Sequence, residues 1–343
     1  MDSRPLSNNS PIVILASAVI VIAGLKVAGS ILIPFLLAAF IAVLTMPFVR
    51  WVNKFKVPEA VGVLLVLLFL LMLVLLIGSF IGGTVNAFYK DIPLYEARFH
   101  SLTSHYIALL NSYGFEISES NLRQFMNPGQ MMKTATTVLN SLRGMLTTTL
   151  LILLIIMFML LEGSGLPDKL KRAFGENTRV LQHFQTVSKS VQFYLVLKTI
   201  ISVVTGILVW LGLVWLDVPY ASLWGVIAFL LNYIPTIGSI VASIPAIIIA
   251  LITIDAVTAS LVAVLYTIIN TLLGSILEPR LMGNSLGISP LVVFGSLVFW
   301  GWLWGPIGMI LCVPLTMVLK IIFETNPSSE WLAILLGGKS NTP

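Results

Sequence analysis

The sequence predicts an all-α polytopic membrane protein with about eight membrane segments, the last four forming two repeats that each contain a broken or re-entrant helix. Composition, the spacing of charge and an internal repeat predict it. Of 343 residues, 58% are hydrophobic and only 10% are charged, against roughly 25% charged in an average soluble domain. So few charges cannot cover a water-facing surface. The stretches 60–89, 144–161, 199–216, 218–254, 256–277 and 281–319 carry none, and 11–49 carries only Lys26. A helix needs about 20 apolar residues to cross a hydrocarbon core of roughly 30 Å. All but 144–161 and 199–216 supply that comfortably, and those two suffice when their ends snorkel.

Taken in order, the N-terminus shows no small-residue cleavage site closing an apolar run, which predicts a retained helix over 12–25. As one helix, 11–49 would be about 58 Å long, so it must fold back near Lys26, Gly29 and Ser30 and give a second helix over 30–49. The loop holding Arg50, Lys54 and Lys56 is then cytoplasmic by the positive-inside rule. A third helix, about 60–82, leads to the one long polar stretch, 86–143. There Phe99, Leu102, Tyr106, Leu109 and Leu110 at helical spacing, with the breaker Asn127-Pro128-Gly129, predict a small helical excursion on the far side. A fourth helix, about 145–161, returns the chain to the cytoplasm, where Lys169, Lys171, Arg172, Arg179, Lys189 and Lys198 make 162–198 the most basic segment.

The repeat lies beyond. Leu197-Lys198-Thr199-Ile200-Ile201-Ser202 with Gly206 matches Leu265-Tyr266-Thr267-Ile268-Ile269-Asn270 with Gly274, at an offset of 68. Each copy leads into an apolar run with a break. The first break is Asn232-Tyr233-Ile234-Pro235-Thr236-Ile237-Gly238, followed by Pro245; the second is Gly301-Trp302-Leu303-Trp304-Gly305-Pro306-Ile307-Gly308, followed by Pro314. If each broken run is re-entrant, Asp217 and Asp255 lie outside while Arg280, Lys320 and Lys339 lie inside, which satisfies the charge rule and inverts one repeat relative to the other. If both cross fully, Arg280 falls outside. Both termini are expected in the cytoplasm.

Candidate chemistry concentrates at these breaks. Unwound backbone in hydrocarbon loses intrahelical partners at several kcal/mol each, so it survives only around a polar cavity or deep in protein. Paired interruptions also point to a solute site. The first break adds Asn232, Tyr233, Thr236 and Ser239 around Pro235 and Gly238; the competing reading is a proline kink with Asn232 capping a helix end. In the second, Trp300, Trp302 and Trp304 beside Pro306 read either as an interfacial belt or as a stacking wall for a solute ring. Asn270, with Thr271 and Ser275, lies on the helix that ends at Glu278-Pro279-Arg280. Glu278 reads as an ion-pair partner of Arg280, or as the group that takes up a coupling proton, since desolvation favours the neutral carboxyl. Lys198 reads as a snorkelling anchor or as a ligand or gating residue, and Glu162 as interfacial.

Several classes are excluded. The net charge of +5 sits in short loops beside apolar spans with no basic stripe, so nucleic acid is not an expected partner. Cys312 is the single cysteine, which forbids an intrachain disulfide or a cysteine cluster. His100 and His105, five apart, do not share a helical face, and no metal site or cofactor is expected. No Walker A loop, HExxH or Gly-x-Ser-x-Gly is present, so no enzyme is expected, and uphill transport would need an ion gradient or an external partner.

With these residues in view, the sequence resembles the autoinducer-2 exporter family. The likeness rests on Tyr194-Leu195-Val196-Leu197-Lys198-Thr199, Asn232 through Ser239, Leu277-Glu278-Pro279-Arg280-Leu281-Met282-Gly283, Val298-Phe299-Trp300-Gly301-Trp302-Leu303, Ile33-Pro34-Phe35 and Met159-Leu160-Leu161-Glu162. It covers essentially the whole chain. The resemblance implies a proton-coupled secondary transporter of the bacterial inner membrane that exports a small polar signal, assembled as a homo-oligomer, with a pentamer suspected. It also implies a fixed assembly part and a moving transport part. On that division, 1–161 is the scaffold half, 162–190 a basic amphipathic linker, 191–323 the repeated transport half and 324–343 a tail. Relatives are also associated with sodium/proton exchange. Three readings follow: export of a neutral polyol-like signal, sodium or lithium/proton antiport, and a non-transporting membrane scaffold or regulator. Antiport normally wants a carboxylate in mid-membrane, and no Asp or Glu falls at the centre of a span; a scaffold leaves the paired breaks unexplained.

Overall fold

The computed structural model describes residues 11–112, 148–163, 165–166, 169, 171–172, 179–282, 287–325 and 329–338. Among these every regular element is helical, and the one extended feature is an isolated bridge between Ile288 and Gly337. Helix α1 (Pro11–Val27) and helix α2 (Gly29–Asn53) meet at a corner at Ala28, within the stretch where the length argument divides the run, and the bonds from Ala28 N–H to Gly24 O and from Leu32 N–H to Ala28 O bridge it. The corner is tight, because a Cβ on Gly29 would lie 3.1 Å from the Trp304 ring.

Helix α3 (Glu59–Ser112) is 54 residues long, about 80 Å at 1.5 Å per residue. This corrects the expected stop near residue 82. Ile81, Val85, Phe88, Ile92 and Tyr95 continue a 4-3-4-3 apolar stripe through the polar stretch, and a stripe that finds a partner keeps its helix. The partner is the segment around Tyr220 and Trp224 in the second half of the chain. Phe88 packs edge-on against Tyr220 and Trp224 at 5.4 and 5.9 Å between centroids. The Tyr220 hydroxyl donates to Asp91, and Arg98 donates to the Thr253 carbonyl at 3.2 Å. The breaker Asn127-Pro128-Gly129 lies outside the described residues. Helix α4 (Thr148–Gly163) packs on α2 and α3 through Ala38, Ala42, Val63, Ile156 and Leu160, and Glu162 forms an exposed pair with Lys169.

The second half comprises α5 (Arg179–Trp215), α6 (Ala221–Leu231), α7 (Ile237–Thr253), α8 (Ala256–Met282), α9 (Pro290–Thr325) and α10 (Glu330–Leu336). Helix α5 runs unbroken through residue 190. It crosses α6 backbone to backbone, since a Cβ on either Gly206 or Gly225 would sit 2.9 Å from the other's carbonyl oxygen. Asp255 caps α8 by accepting the Thr258 N–H at 2.6 Å, and that bond holds its carboxyl below the usual carboxylate range. Inside α8 the segment Asn270–Leu277 widens to π-helix.

At both breaks the chain folds back on itself. In a straight helix a residue seven or eight positions on is about 10–12 Å away along the axis. Here a Cβ on Gly238 would come within 1.8 Å of the Leu231 oxygen, and one on Gly308 within 2.0 Å of the Trp300 oxygen. Thr236 at the first corner has φ +58° and ψ −48°; Gly305 at the second has φ +65° and ψ −148°. By itself α6, at 11 residues, is about 17 Å long and cannot cross a bilayer.

Among the described residues, five helices are long and apolar enough, by length and composition, to cross a membrane: Gly29–Asn53, Glu59–Tyr95, Ser188–Trp215, Ala256–Met282 and the bent Pro290–Glu324, with shorter apolar helices at Leu15–Val27, Thr148–Gly163, Ala221–Leu231 and Ile237–Thr253. Their outward faces carry large apolar side chains such as Leu150, Phe158, Ile200 and Val264, a surface that only hydrocarbon accommodates. The protein is a multi-pass membrane protein.

The close approaches make a prediction. Gly238→Ala and Gly308→Ala each force a methyl into a carbonyl oxygen, and overpacking of this kind costs about 1–3 kcal/mol. Thermal melts in detergent should show both variants destabilised, while Gly78→Ala, whose Cβ meets nothing within 4 Å, should melt at or above the parent temperature.

Candidate functional site

One turn of α5 gathers the polar groups of the second half. Lys198, Thr199 and Ser202 lie within that turn, and each meets a partner from another element. The Lys198 ammonium reaches both carboxylate oxygens of Glu278, at 2.7 and 2.8 Å. The two side chains are 4% and 17% exposed, so the pair is largely withdrawn from solvent. A buried lysine is tolerated where a counter-ion satisfies it, and this one spans 80 residues of sequence.

Around the pair, the first break is fastened to the same turn. The Asn232 amide donates to Ser202 Oγ at 2.9 Å, and Ser239 Oγ donates to Asn232 Oδ1 at 3.4 Å. The Tyr233 hydroxyl donates to Thr199 Oγ1 at 2.8 Å, which in turn donates to the Leu195 carbonyl at 2.7 Å. Much of the freed backbone is re-satisfied locally: Asn232 N–H bonds Ala228 O, Ile234 N–H bonds Leu231 O and Gly238 N–H bonds Ile234 O. Asn232 thus stands at the C-cap of α6, as the competing reading has it, while its side chain ties the corner to α5. Tyr194, buried one turn back on α5, lies within electrostatic reach of Glu278 and Tyr233. Cys312, from the second half of α9, lies within reach of Lys198.

The residues singled out from the sequence divide between two places. Asn232, Tyr233, Ser239, Lys198 and Glu278 converge, with Pro235 half-buried, Gly238 buried in the corner and Thr236 exposed beside them. Pairing of Glu278 with Arg280 is corrected: both carboxylate oxygens are held by Lys198, and Arg280 is exposed. Proline at 279 does not end the helix, which continues to Met282 because the π-helical turn before it absorbs the mismatch. Asn270 is half-buried in that π segment, with Oδ1 2.9 Å from where a Gly274 Cβ would be.

The tryptophans fasten the second break to the N-terminal helices. Trp300 is buried and donates to Thr316 Oγ1 at 3.1 Å; Trp304 is buried and donates to the Leu25 carbonyl at 3.0 Å. Trp302 is exposed, with the Lys26 ammonium 4.1 Å from its ring centroid, a cation–π contact. Pro306 is exposed. Ile234 of the first corner and Trp300, Leu303 and Trp304 of the second belong to one buried cluster. Thr199, Ser202 and Tyr194 were not among the candidates read from the sequence. Their signal was there, since Tyr194, Lys198 and Ser202 recur every four residues along an otherwise apolar helix.

A buried lysine–carboxylate pair beside unwound backbone, inside a multi-pass helical protein, is the make-up of a membrane transporter. The comparisons agree. The AI-2E family transporter signature matches residues 15–328. The chain is 38% identical over 325 residues to the AI-2 transport protein TqsA of Escherichia coli strain K12, covering 95% of this chain and 94% of that one. It is 35% identical over 323 residues to "Putative transport protein YhhT" of the same strain, covering 94% and 93%, and 35% identical over 329 residues to a transport protein of similar designation from Haemophilus influenzae, covering 94% of each. The chain belongs to the AI-2E transporter family. It is a transport protein and not an enzyme, and the scaffold reading is set aside.

The ion pair can be tested by itself. Removing one member of a buried pair strands the other charge and costs about 3–5 kcal/mol, whereas replacing both is often neutral. Lys198→Met and Glu278→Gln should each lower the melting temperature in detergent, and the double variant Lys198→Met/Glu278→Gln should recover most of the loss. Additive losses would mean that the two side chains are not coupled.

Proposed function

We propose that this protein is a secondary transporter of the bacterial cytoplasmic membrane that exports a small neutral polar signal of the autoinducer-2 type, coupled to protons through Glu278. The observation that carries the reading is the Lys198–Glu278 pair, buried one residue from the Tyr233–Thr199 bond and one turn from Asn232–Ser202. Charge and solute-type hydrogen bonding thus sit on the same turn of one helix. Protonation of Glu278 removes the counter-charge of Lys198 and leaves the ammonium unpaired in a low-dielectric site. The proton therefore changes the forces at the corner that carries Asn232 and Tyr233, which is what coupling requires. Support for a neutral solute comes from the ring of amide and hydroxyl groups there, which offer bonds without a spare charge.

The further parts of this reading are a homo-oligomer, both termini in the cytoplasm, and 191–323 as the moving part, built from two inverted repeats. Supporting the repeat are the matched corners: each folds back and each seats a glycine on a carbonyl of the helix before it. Sodium or lithium/proton antiport is the second reading. It draws on the same Glu278, which would exchange the ammonium of Lys198 for a metal cation.

Purified protein in liposomes, given a proton gradient and then a sodium gradient, separates the two. Accumulation of labelled autoinducer-2 should follow the proton gradient. Glu278→Gln should abolish accumulation while leaving equilibrium binding of the solute intact. Asn232→Ala removes the tie to Ser202 together with one hydrogen bond to an uncharged solute, worth about 0.5–1.5 kcal/mol, and should lower the melting temperature modestly and weaken affinity severalfold with assembly unchanged. Normal proton-driven accumulation by Glu278→Gln would place coupling elsewhere, and cation flux without solute flux would favour antiport.

A further inference from the structure

Two hydroxyls in the repeated half have no hydrogen-bond partner among the described residues: Thr205 Oγ1 on α5 and Tyr266 Oη on α8, each fully buried at the oxygen. The residues are 5% and 6% exposed. Buried hydroxyls are as a rule paired, and an unpaired one destabilises the fold that holds it. Packing has no need of either oxygen, because valine and phenylalanine would fill the same space. Their positions are ordered. Lys198 meets Glu278 at one level, and a Cβ on Gly212 would sit 2.5 Å from Leu265 at another, so α5 and α8 run antiparallel. Along α5, Lys198, Ser202, Thr205 and Val209 are spaced by about one turn and share a face. Thr205 thus stands one turn beyond the Ser202–Asn232 bond. Tyr266 follows Leu265, at the level where α8 meets Gly212. It is also the residue that the 68-residue repeat aligns with Lys198, so a hydroxyl in the second copy stands where the first has a charge.

We infer that Thr205 and Tyr266 are hydrogen-bonding steps for the transported solute along the α5–α8 seam, between the Lys198–Glu278 pair and the far end of α5. The solute class they take is neutral and bears hydroxyl or carbonyl groups. A hydroxyl both donates and accepts but offers no counter-charge, and an ion resting at either step would be unpaired in a dry site. The inference rests on the transport reading above and adds two residues and a direction to it.

The test uses the full-length chain in liposomes. Thr205→Val and Tyr266→Phe delete only the orphan oxygens. A purely structural role predicts equal or higher melting temperatures and unchanged transport. The inference predicts equal or higher melting temperatures together with a two- to tenfold loss in transport of labelled autoinducer-2, the loss that one hydrogen bond implies. A second arm does not depend on the solute: in a Cys312→Ser background, Thr205→Cys and Tyr266→Cys should react with a small neutral methanethiosulfonate such as the methyl reagent, while the control Ile207→Cys on the exposed apolar face of α5 should not. Inert thiols at both positions, or wild-type transport by both hydroxyl-deleted variants, would overturn the inference. If the parent protein moves no autoinducer-2 yet both thiols react, the polar seam stands and the assignment of the solute fails.

Discussion

Backbone amides and carbonyls in hydrocarbon must find partners within the protein, at several kcal/mol for each one left over. Among the described residues of its second half, this chain breaks two apolar runs by folding back, and the surrounding structure answers those two breaks. At the first, the corner from Asn232 to Gly238 closes its own short hydrogen bonds and is pinned by side chains to α5. At the second, Trp304 carries the connection to the Leu25 carbonyl and Trp300 ties the two halves of α9 together. The glycines at 238 and 308 permit the backbone-on-backbone contact that makes each corner compact. Polar residues appear where the ladder of the helix is interrupted, and the same residues assemble the candidate site.

The two corners share a glycine seated on a preceding carbonyl and differ in chemistry. The first is lined by an amide, a phenol and a hydroxyl held against a charged pair; the second by indoles held against α1 and α2. Two bends that differ in their side chains can divide labour, one offering polar groups and the other anchoring its helix to its surroundings. The exposed Trp302 beneath Lys26 and the buried Trp304 against Gly29 both belong to anchorage.

Much of the architecture was legible in residue order. Charge-free stretches, the length limit on 11–49 and the Gly/Pro punctuation place the first two helices and both breaks to within a few residues. Polarity alone does not mark the end of α3, because the apolar stripe from Ile81 to Tyr95 persists through the polar stretch and docks on the N-terminal end of α6. The partner of Glu278 is hidden for a different reason. Arg280 is close in sequence, but α8 and α5 are antiparallel neighbours, and only their packing brings Lys198 to the carboxylate. No local pattern encodes a contact across 80 residues. The hydroxyls of Thr199 and Ser202 were visible as polar residues at helical spacing, yet their meaning depends on what faces that turn.

The attachment of Trp304 to Leu25 bears on how the molecule can move. Chain order suggests a cut between the first and second halves near residue 162, but α1 is fastened to the corner of α9, and residues of α2 including Leu36 and Phe40 pack in the same cluster as Trp300 and Leu311. Helices α3 and α4 hold the opposite face of α2 through Ala38, Ala42 and Leu160. Any rigid-body displacement of the second half must either carry α1 with it or break an indole hydrogen bond and a cation–π contact on every cycle. The first helix in sequence is in that case mechanically a member of the last unit, and a reporter placed on it would register the motion of α9.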